Sequence, residues 1–340
     1  VVNTGLTSLN VYSLAVSGST VYAGTNGGVY QSINNGSNWY SVNSGIPSSL
    51  AINTLEISGN NIFAGSNDGV YLSTNSGNNW NLTNSGLTNT LVKSFAINGS
   101  TIFSGTNGGV FISSNNGNNW TSANTGIINT KVTTIASNGG DIVAGTKGSG
   151  VFLSSNNGNT WNSISAGLPN NVSITALSYS GSNIFACTEN DGVFLSTNNG
   201  SSWIGVNSGL ASSHVLSIAI TGNNIFVGTD SGVYLSVNNG SSWTALNNGL
   251  PSSITIQSLT ISGGIVFAGS VYNDVFISSN NGSSWTNNFL LGNGNIRALG
   301  SNGNKVLAST GMGVYLTING GSSWTQVNNG IFTGYFVYAF

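Results

Sequence analysis

Charge is what this sequence has least of. Asp, Glu, Lys and Arg make up 4% of the 340 residues, five cations against seven anions, where an ordinary soluble domain carries about 25%. Five cations cannot track a phosphate backbone, which excludes nucleic acid as a partner. They cannot form a basic patch for an anionic lipid surface either. Cysteine is almost missing too: Cys187 stands alone, has no partner for an intrachain disulfide, and leaves the redox compartment open. No apolar run approaches the ~20 residues that a membrane helix needs, so membrane insertion is not expected. No segment shows helical periodicity, and 49 glycines argue against helix.

The same scarcity limits the chemistry. His214 has no second His or Cys beside it, so no metal site is expected. Glu189-Asn190-Asp191 is one short turn and not a full calcium loop. No cofactor is expected. The surface must be wetted by Asn, Ser, Thr and backbone amides.

What is present is aromatic and periodic. Disordered chains are short of aromatics, whereas this one has 8 Trp, 11 Tyr and 14 Phe. Its tryptophans fall at Trp39, Trp80, Trp120, Trp161, Trp203, Trp243, Trp285 and Trp324. A repeat of ~40–45 residues is the length of a four-stranded propeller blade. Four short strands fit each unit by alternation and turn residues. Strand A begins at Val11, Ile52, Val92, Val132, Ile174, Val215, Ile256 and Ile296. Strand B reads Ile62-Phe63-Ala64-Gly65-Ser66 and its equivalents. Strand C opens with Val then Tyr or Phe, as in Val70-Tyr71, and strand D carries the Trp. Val and the aromatic point to opposite faces, so both faces of each sheet are apolar, as radially packed blades require. Small residues such as Ala64 and Gly65 would let neighbouring blades approach, and Cys187 falls in that column. The expected fold is all-β, a single eight-bladed propeller over residues 1–330.

Every strand C runs into one element. It reads Ser73-Thr74-Asn75-Ser76-Gly77-Asn78-Asn79-Trp80 in one unit and Ser196-Thr197-Asn198-Asn199-Gly200-Ser201-Ser202-Trp203 in another. This resembles the Asp-box, or bacterial neuraminidase repeat, pattern Ser-x-Asp-x-Gly-x-Thr-Trp, and the resemblance covers essentially the whole chain. The departure is systematic, because Asn replaces the box Asp throughout: Asn34, Asn75, Asn115, Asn156, Asn198, Asn238, Asn280 and Asn319. An Asn oxygen can still accept backbone N–H bonds across the C–D turn, Gly supplies positive φ, and Trp fills the space between adjacent strands. In the families that carry it, the box is structural and lies away from the active face, so it identifies fold and not chemistry. Those families include sialidases, xyloglucan-type endoglucanases, sortilin-like receptors and photosystem-assembly factors. The resemblance implies three arginines for a sialidase carboxylate site, but this chain has only Arg297. A Tyr–Glu nucleophile pair would have to draw on Glu56 or Glu189, and sialidase activity is excluded.

In a propeller the D–A and B–C connections share one face, opposite the boxes. Two sets of residues vary there. The second residue of strand A, near the channel mouth, is Tyr12, Asn53, Lys93, Thr133, Thr175, Leu216, Gln257 or Arg297. The B–C turns carry Asp68, Lys147, Glu189, Asp191, Asp230 and Asp274. Turns tolerate Asp and strand ends tolerate variation, which is the bland account of both sets. Asp191 and Asp230, on neighbouring blades, are the best available pair for glycoside hydrolysis, which needs two carboxylates ~5–10 Å apart. Nothing in the sequence raises the pKa of one member.

The chain opens on Val1, which fits a removed leader or an excerpt. Residues 331–340 resemble the beginning of a ninth strand A, and Tyr335, Phe336, Val337, Tyr338 and Phe340 form an apolar, uncharged run. Such a strand seldom stays a free edge, so it is expected to mediate assembly, with tucking onto its own propeller as the bland alternative. The expected function is a non-catalytic extracellular or cell-surface module. Self-association or adhesion to other surface proteins leads, and glycan binding is the rival. A lectin would need aromatics and amides gathered at the channel mouth.

Overall fold

Alternation of side chains and a turn residue every few positions give each repeat its strands. In the second repeat Ile52–Ser58, Asn61–Ser66, Val70–Ser73 and Asn81–Leu82 form strands A to D, paired antiparallel in that order. A computed structural model of the chain describes residues 11–17, 20–34, 38–127, 131–271, 275–287, 296, 298–302, 304–310 and 313–326. It shows eight such sheets arranged as the blades of a ring, the first from Val11–Ser17 and the last ending at Thr325–Gln326. No helix occurs among the described residues. Arg297, Asp274 and the expected assembly strand at 331–340 lie outside the described residues.

The two-faced apolar pattern of strands B and C becomes a series of cores between blades. Val70 packs toward the third blade with Phe95, Phe111 and Trp120, while Tyr71 packs toward the first with Tyr22, Val29 and Ile46. Phe63, Phe103, Phe185, Phe226 and Phe267 are fully buried at equivalent places, each contributing about 1.5–3 kcal/mol of transfer free energy. Small residues permit the close approach: a Cβ on Gly65 would stand 2.5 Å from Val92 Cγ1 of the next blade. Cys187 occupies the same column, wholly buried beside Val215, and burial pushes its thiol pKa up to about 12.

One expectation needs correcting. The box tryptophans stand just before strand D and not within it; Trp80, for instance, precedes Asn81–Leu82. Besides filling space, those of the second to seventh blades join neighbouring blades. Trp80 donates its backbone N–H to Ser44 O of the preceding blade at 2.8 Å and its indole N–H to Val42 O at 2.5 Å. Trp203 and Trp243 repeat both bonds, to Ala166 and Ile164, and to Ser208 and Val206. Trp285 makes the same pair, to Asn248 and Leu246, whereas the indole N–H groups of Trp120, Trp161 and Trp324 are buried without an acceptor.

Strand A has one irregularity that recurs around the ring. In each of the first seven blades the A–B ladder skips the second residue of strand A: Ile52 faces Ser66 and Thr54 faces Gly65, with Asn53 left over. The same skip omits Tyr12, Lys93, Thr133, Thr175, Leu216 and Gln257. A β-bulge leaves its extra residue unpaired and re-aims the side chain.

Candidate functional site at the channel mouth

The bulge explains why one column varies while its surroundings repeat. A residue inside the ladder must fit two neighbouring blades, whereas the bulged residue lies at the mouth and escapes that constraint. In three blades its side chain stitches the ring: Asn53 Nδ2 donates to Val92 O at 3.0 Å, Thr133 Oγ1 to Ile174 O at 2.8 Å, and Thr175 Oγ1 to Val215 O at 2.6 Å. In the first and third blades Tyr12 and Lys93 line a cavity instead.

A cavity of about 460 Å³ opens here over the first four blades. Tyr12, Asn53, Lys93 and Thr133 from the expected column line it, together with Lys147 from the expected B–C turns. The structure adds Asn107, Val132 and Lys131. Thr175, Leu216 and Gln257 do not contribute to its wall, although the Gln257 Oε1 is buried without a hydrogen-bond partner. Lys131 directly precedes its strand A, and Thr133 is the bulged residue of that strand, so regular strand alternation could not have placed the two together. Asn107 sits on the B–C turn of the third blade, where its Asn-Gly consensus made it look like scaffold.

The acidic turns are held apart from this cavity. In the first six blades the B–C turn is built around a buried hydroxyl at the end of strand B. Ser66 Oγ bonds Gly69 O at 2.9 Å and accepts the Asp68 N–H at 3.0 Å. Thr188 does the same for Gly192 and Asp191, both at 2.9 Å. Glu189 donates its backbone N–H to Ser173 O at 3.0 Å. Asp230 accepts from Ser231 Oγ at 3.0 Å and lies 3.9 Å from His214 Nδ1, with both side chains more than 40% exposed. Ion pairs this exposed contribute little. Among the described residues no group of three His, Cys, Asp or Glu side chains gathers to hold a metal.

A second asparagine series, unforeseen from the sequence, fixes the turns. Asn84 Oδ1 accepts the Val70 N–H at 3.0 Å and its Nδ2 donates to Asp68 O at 2.6 Å. Asn43, Asn124, Asn207 and Asn247 repeat this clamp between strand D and the B–C turn. The signal was an Asn four residues after each of those tryptophans, with Ser165 substituting in the fourth blade. The face that carries the cavity is therefore rigid below its variable side chains.

On the opposite face the box asparagines do what a turn acceptor should. Asn198 Oδ1 accepts the Ser202 N–H at 3.0 Å and the Ser196 hydroxyl at 2.9 Å. Asn34, Asn75, Asn115, Asn156, Asn238, Asn280 and Asn319 all accept the N–H four residues on. The turn holds two consecutive residues at positive φ, for example Asn199 at 52° and Gly200 at 81°.

Comparison with known proteins agrees on the fold. A family model, the DUF6242 beta propeller domain, matches residues 59–188, less than half of the chain. No curated protein sequence matches. The computationally designed protein Ika8 superposes with a TM-score of 0.70 at 17% identity, over 90% of this chain and 95% of that one. The extracellular domain of a one-component system from B. thetaiotaomicron gives 0.58 at 14% identity, over 93% of this chain and 52% of its own. An ancestral GH74 enzyme gives 0.58 at 20% identity, over 96% and 55%. The chain thus spans about half the length of the last two proteins, and likenesses at such identities concern the propeller fold alone.

Proposed function

We propose that this propeller is a non-catalytic binding module of the extracellular or cell-surface kind, with its recognition face at the channel mouth. The observation that carries the reading is a rigid repeating scaffold topped by bulged, non-repeating side chains around one cavity of about 460 Å³. Cavities of this size suit small ligands or the end of a larger one. The turn geometry at Asn198 supports reading the repeat as an Asp-box variant with a structural role. The B. thetaiotaomicron likeness, itself an extracellular domain, supports the location.

The absence of catalysis is supported by where the carboxylates stand. Glycoside hydrolysis needs two of them on one bond, and among the described residues none lines the cavity. Asp191 and Asp230 lie on separate turns, the latter beside His214. Self-association is the second reading, favoured by exposed Tyr40, Leu82 and Ile204 on the outermost strands. Such edges are templates for pairing, and a net charge of −2 offers little repulsion.

One experiment separates these readings. A panel of neutral and acidic oligosaccharides is screened for binding by ligand-observed NMR, and the same mixtures are analysed by chromatography for shorter products. Binding without products is expected, unchanged in Asp191→Asn and Asp230→Asn. Products that vanish in those variants would contradict the reading. Concentration-dependent polymer in sedimentation, lost in Tyr40→Ser with Ile204→Ser, together with a blank binding screen, would move the assignment to self-assembly.

A further inference from the structure

We propose that the channel mouth is a site for an acidic sugar unit, with Lys93, Lys131 and Lys147 taking its carboxylate or sulfate and Tyr12 receiving its ring. The inference rests on the binding role proposed for this face and names the ligand class.

A chain with five cations in 340 residues has gathered three of them around one cavity, on the third and fourth blades. They come from three different places in the fold. Lys93 is the bulged residue of its strand A, Lys131 directly precedes the next strand A, and Lys147 lies in the following B–C turn. The Lys147 N–H donates to Lys131 O at 3.0 Å, so these two stems leave adjoining backbone positions. The acids of the same face, Asp68, Glu189, Asp191 and Asp230, all stand outside the cavity wall. Cations concentrated in a concave site focus the field there.

The remaining wall is what a sugar ring requires. Tyr12 supplies an aromatic surface, and Asn53, whose Nδ2 is engaged with Asn67 Oδ1 and Val92 O, offers its Oδ1 as an acceptor for a hydroxyl group. Each lysine ammonium has three donors on a flexible stem and does not impose the planar fork of arginine. Carboxylate and sulfate therefore both fit. Among the described residues the cavity wall holds three cations, too few for a nucleic acid or polyphosphate track.

The test uses the full chain and three matched probes: a galacturonate trisaccharide, a sulfated galactose trisaccharide and the neutral galactose trisaccharide. Binding is measured by saturation-transfer NMR and calorimetry for the native protein, for Lys93→Gln, Lys131→Gln and Lys147→Gln, and for the triple variant. All three lysines are exposed, and thermal melts confirm that the variants fold. At least one acidic probe should bind more tightly than the neutral one, weaken about two- to fivefold per substitution, and weaken with added salt. Binding of the galacturonate alone identifies carboxylate as the anion, and of the sulfated sugar alone, sulfate. Equal binding of all three probes, unmoved in the triple variant, overturns the inference while leaving a binding face. Binding of oligoglutamate or triphosphate in place of every sugar overturns it as well. If no probe binds, the inference falls, and the proposed function falls with it only if the wider oligosaccharide screen is also blank.

Discussion

Asn198 shows how one side chain can be both replaceable and necessary. Its oxygen satisfies the Ser202 N–H and its amide donates to Ser202 Oγ. Asp offers an oxygen in both places, and the serine hydroxyl can reverse its role. Asn198→Asp should therefore be nearly neutral and Asn198→Ala should lose about 0.5–2 kcal/mol, the range for a lost local cap. Equal losses in chemical denaturation would show that the turn bond does not matter. Gly209 is less forgiving. Its φ is 93°, and a Cβ would stand 2.1 Å from Trp243 O of the next blade, so Gly209→Ala should destabilise by well over about 1 kcal/mol. Ser76 holds φ 59° where most other boxes place Asn. Asn tolerates that region better than Ser, and Ser76→Asn should raise the melting temperature slightly.

At the scale of strands, sequence reading succeeded where the repeat enforced it and failed where one position broke it. The Val-aromatic opening of strand C and the Gly column of strand B announced two buried faces, because a period of two leaves no other arrangement. The interblade role of the tryptophans was not legible, since a sequence shows spacing and not which carbonyl an indole meets. The bulge at Asn53 was hidden likewise: an extra residue in one strand is visible only against its partner's register. The variation it permits was visible, so Tyr12, Asn53, Lys93 and Thr133 could be named from the sequence, whereas Asn107 and Lys131 could not, and the expected Thr175 and Gln257 stand outside the cavity wall. Strand A also carries Glu56, whose burial raises its carboxyl pKa above the ordinary 4.5. The folded chain thus favours the neutral acid, and this contribution to stability, present at low pH, is lost as pH rises through the raised value. Glu56→Gln should accordingly raise the melting temperature at pH 7, with the gain fading below about pH 4. A loss at pH 7 would mean that the ionised form has a stabilising partner. Cys187, buried with its thiol pKa near 12, should react with a disulfide reagent at pH 8 only after unfolding.

The whole molecule divides its labour between two faces of one ring. The box face is repetitive, closed by turn asparagines and tied blade to blade through tryptophan. The opposite face keeps hydrogen-bonded turns but releases one residue from the ladder in each of the first seven blades. Hydrogen-exchange mass spectrometry with a bound oligosaccharide from the screen tests this division most directly. The account predicts added protection at the starts of strand A and at the B–C turns of the first four blades, around residues 12, 53, 93, 131–133 and 147, with the box turns unchanged. Protection centred on the box turns, or spread evenly over all eight blades, would contradict it.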